Sequence, residues 1–222
     1  MTPLRRAYLG FAIIGLLVVA AFAYEQLSGQ SLTDWSKPLP FVARKNVVAD
    51  TGHAIPTSLP TFALKNLNGQ VQSSTQWRGH PLLINFWASW CQPCRREIPL
   101  LNQVTSQPLV PQLQVVGIAI DFAEDVQKFA QETPIHYPVL IGEDDGVELA
   151  RQFGVEALAF PFTVLVDSQG NLLALRLGEL HPDQLNQALK LMADLESKSI
   201  SLKTAREQIT QVLNRSEPKS AG

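Results

Sequence analysis

Cys91 and Cys94 are the only cysteines of the chain, and Gln92 and Pro93 stand between them. A Cys-x-x-Cys pair can cycle between dithiol and disulfide, supply half of a metal site, or staple a loop. A staple this short closes too small a loop to constrain the unfolded chain much. A zinc or copper site needs further soft or imidazole ligands nearby. His53, His80, His136 and His181 share no metal-ligand spacing, and the only methionines are Met1 and Met192. Dithiol–disulfide chemistry is the reading these residues favour. Metal binding, with Cu(I) held by the same two thiolates, and a structural staple stay open as alternatives.

The neighbouring residues say how such a pair would be held. Pro81 to Trp87 is a continuous apolar run that reads as a buried strand, and Cys94 to Thr105 reads as the helix that follows it. The cysteines therefore sit where a strand hands over to a helix. There, unpaired N–H groups and the positive end of the helix dipole stabilise a thiolate. Cys91 is expected as the exposed nucleophile, and Cys94, one turn further in and shielded, as the resolving thiol. Pro93 falls in the first turn, where a missing N–H costs little. Trp87 is expected in the core and Trp90 beside Cys91 as a contact surface.

The same alternation of short β-type and helical runs extends from Pro60 onward. Phe62 to Leu67 and Val71 to Ser73 flank Asn68-Gly69, a hairpin signal. Leu113 to Ile120 and Tyr137 to Ile141 read as strands, and Ala123 to Glu132 and Val147 to Phe153 as helices. Phe162 to Val166 and Leu172 to Leu177 form a second hairpin around Asp167 to Asn171, and Pro182 to Leu195 closes as a helix. The order predicts an α/β fold with a mixed sheet flanked by helices and an N-terminal β-hairpin. Beyond Leu195, the spacing of Ile200, Leu202, Ala205, Ile209, Val212 and Leu213 predicts a further amphipathic helix, with a disordered end from Ser216.

The segment Leu82-Leu83-Ile84-Asn85-Phe86-Trp87-Ala88-Ser89-Trp90-Cys91-Gln92-Pro93-Cys94-Arg95-Arg96-Glu97-Ile98-Pro99 resembles the active-site segment of thioredoxin-like proteins. Specifically, it is similar to that of the membrane-anchored TlpA/ResA/CcmG group of thiol-disulfide oxidoreductases. The likeness continues more loosely from about Pro60 to Leu195 and does not include the tail. It implies a thioredoxin fold, a redox-active Cys91–Cys94 disulfide in place of any other cofactor, and disulfide-containing protein substrates. It also implies a thiol-type electron donor in the membrane and, in many members, a part in cytochrome c maturation.

The resemblance carries further residues with it. Pro161 matches the family's cis-proline, which faces the disulfide and presents backbone to a substrate strand. Phe160, just before it, is bulkier than the family pattern. Together with Trp90, Gln92 and Pro93 these two make up the expected substrate-contacting set. Glu97 matches a glutamate characteristic of the group and could exchange the Cys94 proton; its other reading is a first-turn acid paired with Arg95 or Arg96. Asn85 stands where ordinary thioredoxins have a buried Asp, and an amide cannot titrate. Two rival functions remain. One is a thioredoxin-fold copper-binding chaperone using the same two cysteines. The other is a peroxidase, for which the Pro-x-x-x-Thr-x-x-Cys pattern is missing.

The ends of the chain set an expected compartment. Arg5-Arg6 precedes an uncharged apolar run from Ala7 to Tyr24, about 18 residues and near the lower limit for a bilayer span. Ala21-Phe22-Ala23 also resembles a signal-cleavage site, but the run is longer than a cleavable signal core and reads as a retained anchor. The expected organisation is a cytoplasmic stretch 1–6, a transmembrane helix 7–24, a linker 25–58, a thioredoxin-like domain 59–195 and a helical extension 196–222. It corresponds to a single-pass protein of the bacterial inner membrane with its catalytic domain on the periplasmic side, where disulfides persist. With 18 Lys and Arg against 20 Asp and Glu, the net charge of −2 offers no basic footprint for nucleic acid.

Overall fold

The structure, a computed structural model, describes residues 56–215. The expected membrane helix, most of the linker and the extreme C-terminus lie outside them. Among the described residues no helix is long and apolar enough to cross a membrane.

A seven-stranded mixed sheet forms the centre. Its strands are β1 (Ala63–Asn66), β2 (Val71–Ser73), β3 (Leu82–Trp87), β4 (Gln114–Ala119), β5 (Val139–Ile141), β6 (Phe162–Val166) and β7 (Leu172–Leu177). In space they run β2-β1-β5-β4-β3-β6-β7. β3, β4 and β5 are parallel, and the remaining pairings are antiparallel. β3 lies between β4 and β6, and all six of its residues are buried, which is why its sequence is apolar without alternation except at Asn85.

The helices are α1 (Gln92–Ser106), α2 (Ala123–Glu132), α3 (Glu143–Gln152), α4 (Pro182–Glu196) and α5 (Leu202–Leu213). Residue parity along the strands decides what each face meets. Leu83 and Trp87 of β3 join a cluster with Ile98 and Leu101 of α1, Phe129 of α2, Leu185 and Leu189 of α4, and Ala205, Ile209 and Leu213 of α5. Leu82, Ile84 and Phe86 point to the opposite face, against Leu149 and Phe153 of α3. Phe86 stacks on Phe162 with centroids 4.2 Å apart.

Two helices start earlier than the sequence expectation. α3 begins at Glu143, four residues before Val147, because Glu143, Asp144 and Asp145 occupy its first turn, where the helix dipole favours acids although no apolar stripe marks them. α1 begins at Gln92, with Cys91 as its N-cap. The helix predicted after Leu195 is present as α5, and it packs on the same core as α1 and α4. Its Arg206 donates from Nε to the Leu172 carbonyl at 2.7 Å and from Nη2 to the Thr57 carbonyl at 2.9 Å.

Candidate active site

β3 and β4 are parallel and end together at Trp87 and Ala119. The carboxyl edge of such strands is where α/β sheets build their sites. The chain leaves β3, passes Ala88, Ser89 and Trp90, and enters α1 through Cys91. Asp121, just past β4, holds this turn: its Oδ2 accepts from Ser89 N–H at 3.0 Å and from Ser89 Oγ at 2.6 Å.

Cys91 and Cys94 are joined as a disulfide with Cα atoms 5.3 Å apart. Cys91 Sγ also accepts the Cys94 N–H at 3.3 Å, one of the donors that the first turn of α1 leaves free. The exposed nucleophile expected at Cys91 needs correction. In the disulfide both cysteines are buried, Cys91 at 4% exposure and Cys94 at 1%, because the Cys91 sulfur turns inward onto the helix start. Cys91 remains the more accessible of the two.

Around the disulfide, Trp90 is 65% exposed and meets Phe160 edge-to-face with centroids 5.9 Å apart. Gln92 is exposed, Pro93 half-buried and Pro161 buried. The Phe160–Pro161 peptide bond is cis, the form the resemblance implies, and the Pro161 carbonyl accepts from Gly178 N–H at 2.8 Å. Trp90 and Phe160 thus form an aromatic rim beside the disulfide.

Glu97 is 1% exposed, which rules out the solvated first-turn acid. It does not pair with Arg95 or Arg96. Its Oε2 accepts from Asn85 Nδ2 at 3.1 Å, and its Oε1 accepts from the Leu180 N–H. Asn85 lies on the face of β3 that α1 covers, and its Nδ2 donates as well to Thr163 Oγ1 at 3.0 Å, directly across the β3–β6 ladder. Burial pushes the Glu97 carboxyl up from the ordinary 4.5 to about 7 against the pull of its hydrogen bonds from Leu180 and Asn85; nearby Glu179 raises it further and Arg176 lowers it. A carboxyl balanced near neutrality beside a redox pair can take up or give back a proton at physiological pH. Burial, and then the Glu97 charge, raise the Tyr137 hydroxyl. Arg96 pairs with Glu179 through both ends of its guanidinium, while Arg95 lies over the Phe129 ring at 4.9 Å.

The structure therefore brings Cys91, Cys94 and Glu97 onto one helix start and sets Trp90, Phe160 and Pro161 around it. Sequence reasoning missed Asp121, Thr163, Glu179 and Leu180. Asp121 carried a usable signal, its place just past a buried parallel strand. Thr163 acts through cross-strand register, Leu180 through its backbone N–H and Glu179 through an ion pair with Arg96 83 positions away, none of which a local pattern reveals. Among the described residues no group of three or more His, Cys, Asp or Glu could hold a metal. Met192 is fully buried in the core.

A dithiol held at the strand-to-helix junction of a mixed sheet, with a cis-proline at the start of the neighbouring strand β6, defines a thioredoxin-like protein that exchanges disulfides. Comparison with known proteins narrows the class. Residues 55–174 match the AhpC/TSA family, and the chain belongs to it, as a thiol-disulfide oxidoreductase of the TlpA/ResA/CcmG type. It is 30% identical over 143 residues to thiol-disulfide oxidoreductase ResA of Geobacillus thermodenitrificans, covering 63% of this chain and 79% of that protein. It is also 30% identical over 136 residues to the thioredoxin-like protein YneN of Bacillus subtilis, with 60% and 76% covered. A solved thiol:disulfide interchange protein of the thioredoxin family from Chlorobium tepidum superposes with a TM-score of 0.54 at 29% identity, covering 64% of this chain and 98% of that one.

Proposed function

We propose that the protein is a membrane-tethered reductant of protein disulfides on the extracytoplasmic side of the cell membrane, and that cytochrome c maturation is the process it serves. The observation that carries this reading is the Cys91–Cys94 disulfide at the N-terminus of α1 with the buried Glu97 carboxyl one turn beyond it. In the reduced protein the helix start favours the Cys91 thiolate. That thiolate attacks one sulfur of a substrate disulfide, forming a Cys91–substrate bond and releasing the other substrate sulfur as a thiolate. Cys94 then gives its proton to Glu97 and attacks the Cys91 sulfur, which re-forms the intramolecular disulfide and frees the second substrate thiolate. Two electrons pass to substrate, and the released thiolates take up protons. A membrane thiol donor returns the pair to the dithiol.

Trp90 and Phe160 form an apolar platform for the substrate chain, and Pro161, with Gln92 and Pro93, lines its approach. The direction of exchange depends on relative potentials alone. Equilibrating the chain with a glutathione or dithiothreitol redox buffer and counting alkylated thiols tests it. A couple close to that of thioredoxin, about −270 mV, is expected of a reductant, and a value near −120 mV would make the protein an oxidant instead.

A further inference from the structure

The three residues that follow β7 each bond to a different part of the site. Gly178 N–H donates to the Pro161 carbonyl at 2.8 Å. Leu180 N–H donates to Glu97 Oε1. Glu179, between them, accepts from Arg96 Nε at 2.9 Å and from Arg96 Nη2. The segment belongs to neither β7, which ends at Leu177, nor α4, which begins at Pro182. Gly178 has φ 91°, a left-handed conformation natural to glycine. What orients the segment is thus the set of side-chain and backbone bonds it makes with the site. The Arg96 side chain is 59% exposed and that of Glu179 25%, and a pair so exposed adds little to global stability.

We infer that Glu179 is a positioning residue: clamped by Arg96, it holds the Gly178–Leu180 segment so that the Leu180 N–H stays on the Glu97 carboxylate while the Gly178 N–H stays on Pro161. The inference deepens the proposed function and rests on Glu97 being the proton exchanger. A backbone N–H aimed at a carboxylate favours its ionised form, and only ionised Glu97 can accept the Cys94 proton. Without the Leu180 bond, burial leaves Glu97 protonated at higher pH, and release of substrate by Cys94 slows. The same segment ties the cis-proline before β6 to the buried Glu97 carboxylate.

The charged and titratable groups around Glu97 are Arg96 on its own helix, Glu179 in the segment, Arg176 on β7, and Tyr137 before β5. Their fields make the sign of the test decisive. Acting through charge alone, loss of Glu179 removes a repulsive neighbour and lowers the Glu97 titration, whereas loss of Arg96 raises it. Acting as a clamp, loss of either partner frees the Leu180 N–H and raises it.

The experiment follows the pH dependence of substrate release from the mixed disulfide, using the full chain and a synthetic peptide disulfide as probe. The variants are Glu179→Ala, Arg96→Ala and the charge swap R96E/E179R. Both single variants are expected to move the midpoint up by about half a unit or more, with faster amide hydrogen exchange at Leu180, and the swap is expected to return Leu180 exchange to the parent rate and to bring the midpoint back down. A Glu179→Ala midpoint that falls or stays in place, or a swap that leaves Leu180 exchange fast, overturns the inference. Glu97→Gln is run alongside. If it keeps the parent midpoint, the assignment of Glu97 itself has failed, an outcome distinct from failure of the clamp alone.

Discussion

At the residue scale the two sulfurs are not equivalent. Cys91 caps α1 and is the more accessible, while Cys94 lies inside the first turn. Cys91→Ala is expected to abolish exchange and Cys94→Ala to accumulate mixed disulfides with substrate. Alkylation of the reduced protein with peptide mapping checks the order, and preferential labelling of Cys94 would reverse it. Glu97 supplies a second prediction. Its carboxyl titrates at about 7 in the folded chain against an ordinary 4.5, so the native state holds this proton more tightly. Below pH 4.5 the group is protonated folded or unfolded. Between 4.5 and 7 only the folded state keeps the proton, and stability falls as pH rises, by about 3 kcal/mol in all. Glu97→Gln removes that slope. In urea unfolding at pH 4 and pH 8, the variant is expected to gain on the parent by about that amount between the two, and its exchange rate to lose the inflection near neutrality.

At the scale of elements, α5 is what turns a sheet-and-helix domain into one with a fully covered face. Ala205, Ile209 and Leu213 are at most 1% exposed, and Arg206 reaches both the start of β7 and the chain at Thr57. Ile209→Ala should cost on the order of 3 kcal/mol, the transfer and cavity terms of a closed site. The exposed Gln211→Ala on the same helix is expected to change stability by less than about 0.5 kcal/mol. Denaturation midpoints compare the two, and exchange activity at low denaturant is expected to be unaffected by either, since α5 contributes no side chain to the site.

At the scale of the whole molecule, the proposed reductant works only where its substrates are. The apolar run from Ala7 to Tyr24 behind Arg5-Arg6 leads us to expect that the protein stays with membranes through salt and carbonate washing. A mature N-terminus near Tyr24 by mass spectrometry would show a removed signal instead. The exported part would then diffuse freely, and its activity would separate from the membrane fraction.

What the sequence determined by itself follows from local and periodic physics. A run such as Leu82 to Trp87, apolar at every position but Asn85, lacks alternation because both faces are buried, so β3 was legible. Two cysteines at a strand-to-helix junction favour thiolate chemistry through the helix start. Asn68-Gly69, the Asp167 to Asn171 turn and the stripe on α5 were legible for the same reason, since each depends on residues close in sequence. The surroundings of Glu97 were decided only by the tertiary structure. A carboxylate directly after two arginines reads equally well as a solvated acid or a buried one, and burial is set by which faces of β3, β6 and α1 meet. Asn85 and Thr163 are 78 positions apart and bond through the β3–β6 register, and Leu180, 83 positions from Glu97, contributes through its backbone alone. Such contacts arise when the sheet closes and α1 packs onto it, and no local pattern encodes them.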